Sequence, residues 1–498
     1  MNNYFYDMIP QEDFIRLSYL PTIPQLLEKL EADYADMPAV TENKTTITYR
    51  QLIENIGKRR AFIDSLGIPK GSTISVLERN SRDAIELYLA IMSAGYVVNM
   101  MPAQLAGMAL YGSLKKFNSA ALFVRNEFAD IAKQANVDIP TYPASSIGDE
   151  YAPAYKDICK DTTAAIYFTG GTTGIPKGAI LTHGNLMRGG YNGIFMPGKA
   201  IGVHRYITFL PFSHVFGSIR GLLSCLYTGS HIFTCTDMKM GVGSIPFIKP
   251  TCLVLVPGLC EIILGLAKLQ GEAFLGGCLK TIIAGAANVP PRLIGDLDKF
   301  GISVLQGYGL TESSNLVSGN ADYRQKPESI GQVYPEQEAK IVNGELWLKG
   351  DHIFKGYYGD PEKTAECFED GWFKTGDLAR FDQDGFLYIV GRVKNLILLD
   401  NGENISPESI EEKFYRNPLI KDCLVQQVEK NGQNILGIQI LPNTPAFAGA
   451  SQTEIEEKIK DAVNQVNEDL PSYMQLRNIV VRTEDFKRTG SMKIQRNQ

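Results

Sequence analysis

The sequence predicts an α/β fold with mostly parallel strands, followed by a small β-rich unit and a compact α+β domain at the C-terminal end. Three observations carry this. Helix-period segments alternate with short buried-strand segments early in the chain and again between residues 205 and 310. From about residue 326 turn residues become dense and strands short. Near Arg392 to Lys394 the pattern starts afresh.

Taken in order, Gln51 to Leu66 places Leu52, Ile53, Ile56, Phe62, Ile63 and Leu66 on one helical face, with Gly67 as a stop. Thr73 to Leu77 reads as a strand, and Asn80 is placed to cap a helix that Gly95 ends. Leu87 to Leu114 carries no charge and exceeds the roughly 20 residues that span a bilayer. Asn99, Pro102, Gln104 and its glycines favour a buried helix and then a buried strand. No transmembrane segment is therefore expected, which leaves room for peripheral membrane contact. Cys252–Val256, Leu279–Ile283 and Ile302–Leu305 read as buried strands, each running into Pro or Gly soon after. Gly344–Lys349 and Gly385–Val390 belong to the β-rich unit. Beyond it come a strand at Asn395–Leu399, a turn at Asp400–Gly402, and a helix capped by Ser406 with Pro407 first. A helix over Thr453–Leu470 and a strand over Asn478–Arg482 complete the chain.

A length of 498 residues suits about three structural units, and 44% hydrophobic with 21% charged residues is ordinary globular composition. A formal net charge of -6 without a basic run argues against nucleic acid as a partner. The eight cysteines form no CxxC pair and several sit in apolar runs, as expected of small hydrophobes in a reducing, cytoplasmic setting. The five histidines show no metal-ligand spacing. The N-terminal MNNYFYDMIP has neither the basic region nor the apolar stretch of a signal peptide.

The strongest local signal is YFTGGTTGIPKGAILTH, residues 167–183. Gly170, Gly171 and Gly174 let backbone N–H groups converge on an anion. Thr169, Thr172 and Thr173 add hydroxyls, and Lys177 adds a point charge, a set that suits a polyphosphate. It is not a Walker A loop, because Lys177 lies between Pro176 and Gly178, and the loop joins two strands. Two further Gly turns, AGAANVP at 284–290 and QGYGLTESS at 306–314, follow predicted strands, where α/β sheets form ligand crevices. In the second, Tyr308 offers a flat face for a base, Thr311 a hydroxyl for a phosphate, and Glu312 a hard oxygen for Mg²⁺.

These blocks resemble those of the adenylate-forming superfamily, which includes acyl-CoA synthetases, non-ribosomal peptide adenylation domains and luciferases. The resemblance runs in order from about residue 40 to Lys493. It implies an acetyl-CoA synthetase-like fold: a large N-terminal AMP-binding domain, residues 1–393, with its β-rich subdomain at about 326–393, then a small mobile domain, residues 394–498, hinged near Lys394. By the same resemblance Thr169–Gly174 and Lys177 hold phosphates. His214, in LPFSHVFG, lines the junction of acyl and nucleotide pockets. Gly285, Ala286 and Ala287 lie against adenine and the acyl group. Gln306, Gly307, Tyr308, Gly309 and Thr311 contact the nucleotide, and Glu312 holds the metal. Asp377 holds the ribose hydroxyls and Arg392 makes a second nucleotide contact, although on sequence alone Arg392 and Lys394 could be plain surface charges. Lys493 matches the catalytic lysine. Two departures stand out: Ala286 replaces a usual Gly and narrows the pocket by a methyl, and Met492 replaces the Gly before the lysine.

The implied activity is an ATP-dependent, Mg²⁺-assisted ligase. It joins a carboxylic acid to AMP and passes the acyl group to coenzyme A, with AMP and pyrophosphate as products. The TGGTTG loop and the NGENISPESIE stretch at 401–411 lean towards a medium- or long-chain fatty acid. The alternatives are a ligase loading an acyl carrier protein, an aryl- or other-acid CoA ligase, and more remotely a non-catalytic nucleotide-binding protein or a membrane structural protein.

Overall fold

The computed structural model describes residues 12, 17–135, 138–169, 177–196, 199–287, 289–320, 324, 326–398, 404–415, 417–430, 433–488 and 494–496. A seven-stranded sheet orders its strands Gly356–Tyr357, Lys177–Thr182, Thr163–Thr169, Val97–Met101, Thr73–Leu77, Ser119–Val124 and Thr141–Pro143. From Thr163–Thr169 to Thr141–Pro143 the neighbours are parallel. Lys177–Thr182 turns back antiparallel on Thr163–Thr169, and Gly356–Tyr357 pairs antiparallel with it. Thr73–Leu77 is buried at every position, as a central parallel strand covered on both faces should be.

The helices around it start where the chain supplies caps. Thr48 and Gln51 form a reciprocal capping box ahead of Tyr49–Ser65. The next helix, Arg82–Ser93, is capped by Ser81, whose hydroxyl accepts from Ala84 N at 3.0 Å. Asn80 is therefore not the cap. Its buried amide is drawn to a loop more than a hundred residues on, donating to Thr208 O and Leu210 O at 2.7 Å each and accepting from Phe212 N at 3.1 Å. Gly95 ends this helix at φ +82°, a left-handed conformation that glycine adopts without strain. The uncharged Leu87–Leu114 segment is a buried helix end, the buried strand Val97–Met101, and an unexpected further helix over Gly107–Lys116. Among the described residues no helix is long and apolar enough to cross a membrane.

A second sheet sets Cys252–Leu255, Thr281–Ala284 and Ser303–Tyr308 in parallel, then Ser318–Asn320 and Gln332–Val333 antiparallel. Ala284 is level with Gln306, so the two Gly turns that follow leave the sheet at the same C-terminal end. The β-rich unit is a five-stranded antiparallel sheet over Glu338–Arg392. It is not self-contained, since Gly356–Tyr357 pairs with Lys177–Thr182 in the first sheet, and one apolar core runs from Leu17 to Leu387.

A separate core spans Ile397 to Leu476, under the three-stranded sheet Ile420–Lys430, Gln433–Pro442 and Leu476–Val481 with helices Pro407–Phe414 and Gln452–Glu468. Of the described part of the predicted strand at 395–399, Ile397–Leu398 pairs, with Asn404–Ile405, and Leu399 lies outside the described residues. The predicted Asp400–Gly402 turn lies outside the described residues. Ser406 sits at the helix cap position with Pro407 behind it but makes no capping bond. Its hydroxyl donates to Val390 O at 2.7 Å, tying this helix start to the end of the β-rich sheet.

Candidate active site

The glycine-rich loop joins two antiparallel strands, as expected, with Thr169 level with Lys177. Thr169 is buried, whereas Gly170, Gly171, Thr172, Thr173 and Gly174 lie outside the described residues. Gly178 serves packing: a Cβ there would overlap the ring of Phe117. Because Gly356–Tyr357 adds to this hairpin, the ring of Tyr357 comes under Lys177, whose Nζ stands 4.9 Å from the centroid. The Tyr357 hydroxyl donates to Glu312 Oε1 at 2.8 Å. Lys177 and Glu312 thus share one neighbour.

Glu312 sits in the short 3₁₀ turn Thr311–Ser313, held by Leu310 N donating to Ser313 Oγ at 2.8 Å and Phe354 N donating to Glu312 O at 2.9 Å. Desolvation raises its carboxyl above the ordinary range. The Tyr357 bond and the field of Arg392 oppose the rise, and Asp377 adds to it.

Asp377 and Arg392 face each other across neighbouring strands, which fixes their pairing. Arg392 Nε lies 2.6 Å from Asp377 Oδ1 and Nη2 donates to Oδ2 at 3.4 Å. The Tyr308 hydroxyl donates to the same Oδ2 at 2.5 Å. Burial, and then the Asp377 charge, keep that phenol protonated well above its usual range. One buried carboxylate therefore anchors a flat aromatic ring and a guanidinium. The turn before it allows no side chain at Gly309, where a Cβ would overlap Asn315 O; at Gly307 a Cβ would come within 2.8 Å of Ser318 O. Gln306 is buried at the head of this turn, and Thr311 is partly exposed beside Glu312.

The other Gly turn begins at Gly285, where a Cβ would stand 3.1 Å from Phe216 Cζ. Ala286 follows at φ +65°, in the left-handed region that costs an L-residue about 1–2 kcal/mol. Ala287 is partly exposed. Facing them is the turn that carries His214. Its Nδ1 accepts from Phe216 N at 3.3 Å, and its carbonyl accepts from Ser218 Oγ at 3.1 Å. Ser218 is itself bonded at 2.8 Å to the Tyr167 hydroxyl, which meets Tyr88 at 2.8 Å. A buried hydroxyl chain thus braces the His214 turn against the strand entering the glycine-rich loop.

The structure brings Lys177 and Glu312 together on Tyr357, and Tyr308 and Arg392 together on Asp377, with Glu312 in the field of Arg392 and Asp377. Gly285–Ala287 and His214 are linked through Phe216. Lys394 is exposed in the turn Val393–Asn395, and Lys493 and Met492 lie outside the described residues. Sequence reasoning missed Tyr357 and Ser218, which carry no motif signature, passed over the first residue of its own motif, Tyr167, and read Asn80 as a helix cap; only the folded sheet edge brings Tyr357 to Glu312.

Among the described residues no cluster of three or more His, Cys, Asp or Glu side chains could hold a metal unaided. A single carboxylate at Glu312 is nonetheless the donor expected for Mg²⁺, which takes its remaining ligands from phosphates and water.

The family model described as AMP-binding enzyme matches residues 27–358, and that described as AMP-binding enzyme C-terminal domain matches residues 394–498. The chain is 27% identical to the mitochondrial medium-chain acyl-CoA ligase ACSF2 of Bos taurus, over 82% of this chain and 77% of that protein. Among solved structures it resembles the anthranilate CoA ligase AuaEII with anthranoyl-AMP, at TM-score 0.83 and 19% identity over 96% of both chains. It also resembles the O-succinylbenzoate coenzyme A synthetase of Bacillus subtilis with ATP and magnesium ion, at TM-score 0.78 and 22% identity, over 95% of this chain and 98% of that one. At these identities the two structures establish the shared fold.

Proposed function

The chain belongs to the AMP-binding enzyme family, and from that premise we propose that it is an ATP-dependent acid–thiol ligase. A carboxylate oxygen attacks the α-phosphorus of ATP and pyrophosphate leaves. The sulfur of coenzyme A then attacks the acyl carbonyl and AMP leaves. The observation that carries this reading is the pair of contact groups Tyr308–Asp377–Arg392 and Glu312–Tyr357–Lys177, electrostatically coupled at Glu312, the second of which ends at the glycine-rich loop.

In this reading the Tyr308 ring stacks on adenine while its hydroxyl stays on Asp377. Asp377 has Arg392 to neutralise it and accepts from the ribose hydroxyls. Thr311 donates to a phosphoryl oxygen. The 169–177 loop, with Lys177, holds the phosphates that depart. His214 and the Gly285–Ala287 turn bound the acid on either side of Phe216. Lys493 brings positive charge to the α-phosphoryl group as negative charge spreads there. Magnesium, arriving with the nucleotide, would be held at Glu312 and would supply Lewis-acid stabilisation of phosphoryl charge. The domain carrying Lys493 turns about Lys394 between the two half-reactions, and residues 1–393 and 394–498 are the moving parts.

The acid has an apolar body. A medium- or long-chain fatty acyl group is supported by the form of the loop and by the medium-chain relative, and an aryl group by the anthranilate ligase fold. Coenzyme A as acceptor follows the same relatives.

Acid-dependent pyrophosphate release, followed by thioester formation with coenzyme A or with a phosphopantetheinylated carrier protein, tests the reaction. Lys493→Ala is expected to abolish pyrophosphate release and to spare thioester formation from supplied acyl-adenylate. Wild-type pyrophosphate release in that variant overturns the role of Lys493. Thioester formed only on the carrier overturns coenzyme A as acceptor.

A further inference from the structure

Arg220 is 1% exposed and heads the largest fully buried side chains. Its Nε and Nη2 have no hydrogen-bond partner. Among the described residues no acidic side chain forms an ion pair with it. Burying a guanidinium without a counter-charge is strongly unfavourable.

Three buried neighbours give no relief, and the acid that acts on one of them, Tyr334, is the exposed Glu336. The positive field of Arg220 is felt at Tyr206, Cys225 and Tyr334, but burial pushes all three up and keeps them neutral. Asn192 repeats the anomaly at the end of the helix His183–Asn192, with both Nδ2 and Oδ1 buried and unpartnered. That helix end packs on Arg220: a Cβ at Gly193 would stand 3.0 Å from Arg220 Cδ. Two buried polar side chains, on helices that pack against one another, thus both carry polar atoms without partners.

Their place relative to the reacting groups is given by the helix that bears Arg220. Phe216–Leu223 is a π-helix, whose i→i+5 bonding stacks residues four to five apart. Arg220 therefore lies one turn beyond Phe216, whose ring meets Gly285, and Phe216 follows His214 by two residues. On the far side, Tyr334 donates to Phe195 O at 2.9 Å and stands 3.3 Å from a Cβ placed on Gly319, which is level with Gly307 of the nucleotide turn.

We propose that Arg220, with Asn192 at the end of the helix packed on it, reads a second carboxylate on the acid. The substrate is then a dicarboxylic acid: one carboxylate is activated near His214, and the other seats on the guanidinium fork. This rests on the ligase reading above and narrows its acid from a fatty or aryl monoacid to one whose apolar body carries a second carboxylate at its far end. A planar guanidinium pairs bidentately with a carboxylate. A monocarboxylic acid of the same length would leave the charge buried and unpaired, which is how a polar site rejects an analogue that lacks the matching group.

The test uses the full-length enzyme with ATP, Mg²⁺ and graded α,ω-dicarboxylic acids, each against the monocarboxylic acid of equal length, together with aryl acids bearing one or two carboxylates. Pyrophosphate release is expected to favour the best diacid in kcat/KM by on the order of 100-fold. Arg220→Met is expected to erase or invert that ratio and to melt no lower than wild type, since it removes an unpaired buried charge at similar volume. Arg220→Lys, which keeps the charge but not the fork, is expected to fall between. A wild-type preference for monoacids, or a ratio unchanged in both variants, overturns the proposal while leaving the ligase reaction intact. Absence of pyrophosphate release with every acid overturns the ligase reading and this inference with it.

Discussion

Tyr357 donates its hydroxyl to Glu312 Oε1 across 2.8 Å, although the two are 45 residues apart in sequence. The contact exists because Gly356–Tyr357 adds to the edge of the loop hairpin, so the proposed phosphate end of the site depends on a strand pairing with the β-rich unit. Tyr357→Phe should leave the fold intact and remove one donor from a partly desolvated carboxylate, a loss of about 1–2 kcal/mol. The expected result is a KM for MgATP raised about 5- to 30-fold with a smaller change in kcat. Unchanged steady-state parameters would show that Glu312 is positioned without it.

Glu312 should also cost stability. Desolvation raises its folded pKa above the ordinary 4.5, so the folded state holds the proton to higher pH than the unfolded state does. The penalty is absent below the unfolded value and grows as pH rises from there through the raised folded value. Glu312→Gln is therefore expected to melt about 1–2 °C higher than wild type at pH 7 in the absence of nucleotide, and no higher at pH 4. It should also lose most acid-dependent pyrophosphate release. Melting curves at the two pH values decide the sign.

Asp377 is 2% exposed and is bonded by both Tyr308 and Arg392. Asp377→Asn leaves the guanidinium facing a neutral amide. It should raise KM for ATP by on the order of 100-fold. Tyr308→Phe keeps the stacking face and should cost only about 5-fold. Equal losses in the two variants would argue that the phenol, not the carboxylate, carries nucleotide affinity.

Much of this site was legible because its residues lie in contiguous blocks at strand ends, where spacing along the chain maps directly onto spacing in the crevice. Thr73–Leu77 and the strand-to-strand loop at Thr169–Lys177 were readable for the same local reason. What was not readable depends on contacts between distant segments. Asn80 looked like a helix cap because Asn caps helices, yet Ser81 next to it takes that role and Asn80 turns to residues 208–212. Ser406 has the residue type and the following proline of a cap, but Val390 O offers its hydroxyl a tertiary partner. Arg220 gave no signal, since a lone arginine in an apolar helix becomes informative only when its surroundings are known to lack a carboxylate.

Ala286 occupies a left-handed backbone position at φ +65°. Ala286→Gly relieves a strain of about 1–2 kcal/mol and gives back about 0.4–1 kcal/mol through the greater freedom of the unfolded chain. A net gain of up to about 1.6 kcal/mol is expected. The variant also removes a methyl beside Gly285, so its preferred acid should be about one methylene larger, with the optimum shifting by about 10-fold in kcat/KM. A destabilised variant with the same acid profile would show that the methyl packs against protein and not against substrate.

Asn80 tests whether the scaffold behind His214 matters to chemistry. Its side chain satisfies two buried carbonyls and one buried N–H in the segment that runs directly into Pro211 and His214. Asn80→Ala orphans all three, at a cost of about 2–4 kcal/mol in stability. The same segment leads to Gly217, where any Cβ would overlap Pro211 O, so the His214 turn cannot relax without shifting the start of the π-helix. KM for the acid should therefore rise about 10-fold while KM for ATP stays within about 2-fold, because the nucleotide contacts proposed above rest on Asp377 and the Gly307–Gly309 turn. Asn80→Asp retains the acceptor for Phe212 N but loses the donor to both carbonyls. It should resemble Asn80→Ala in stability, and a proportional rise in both KM values would mark the effect as global loosening of the fold.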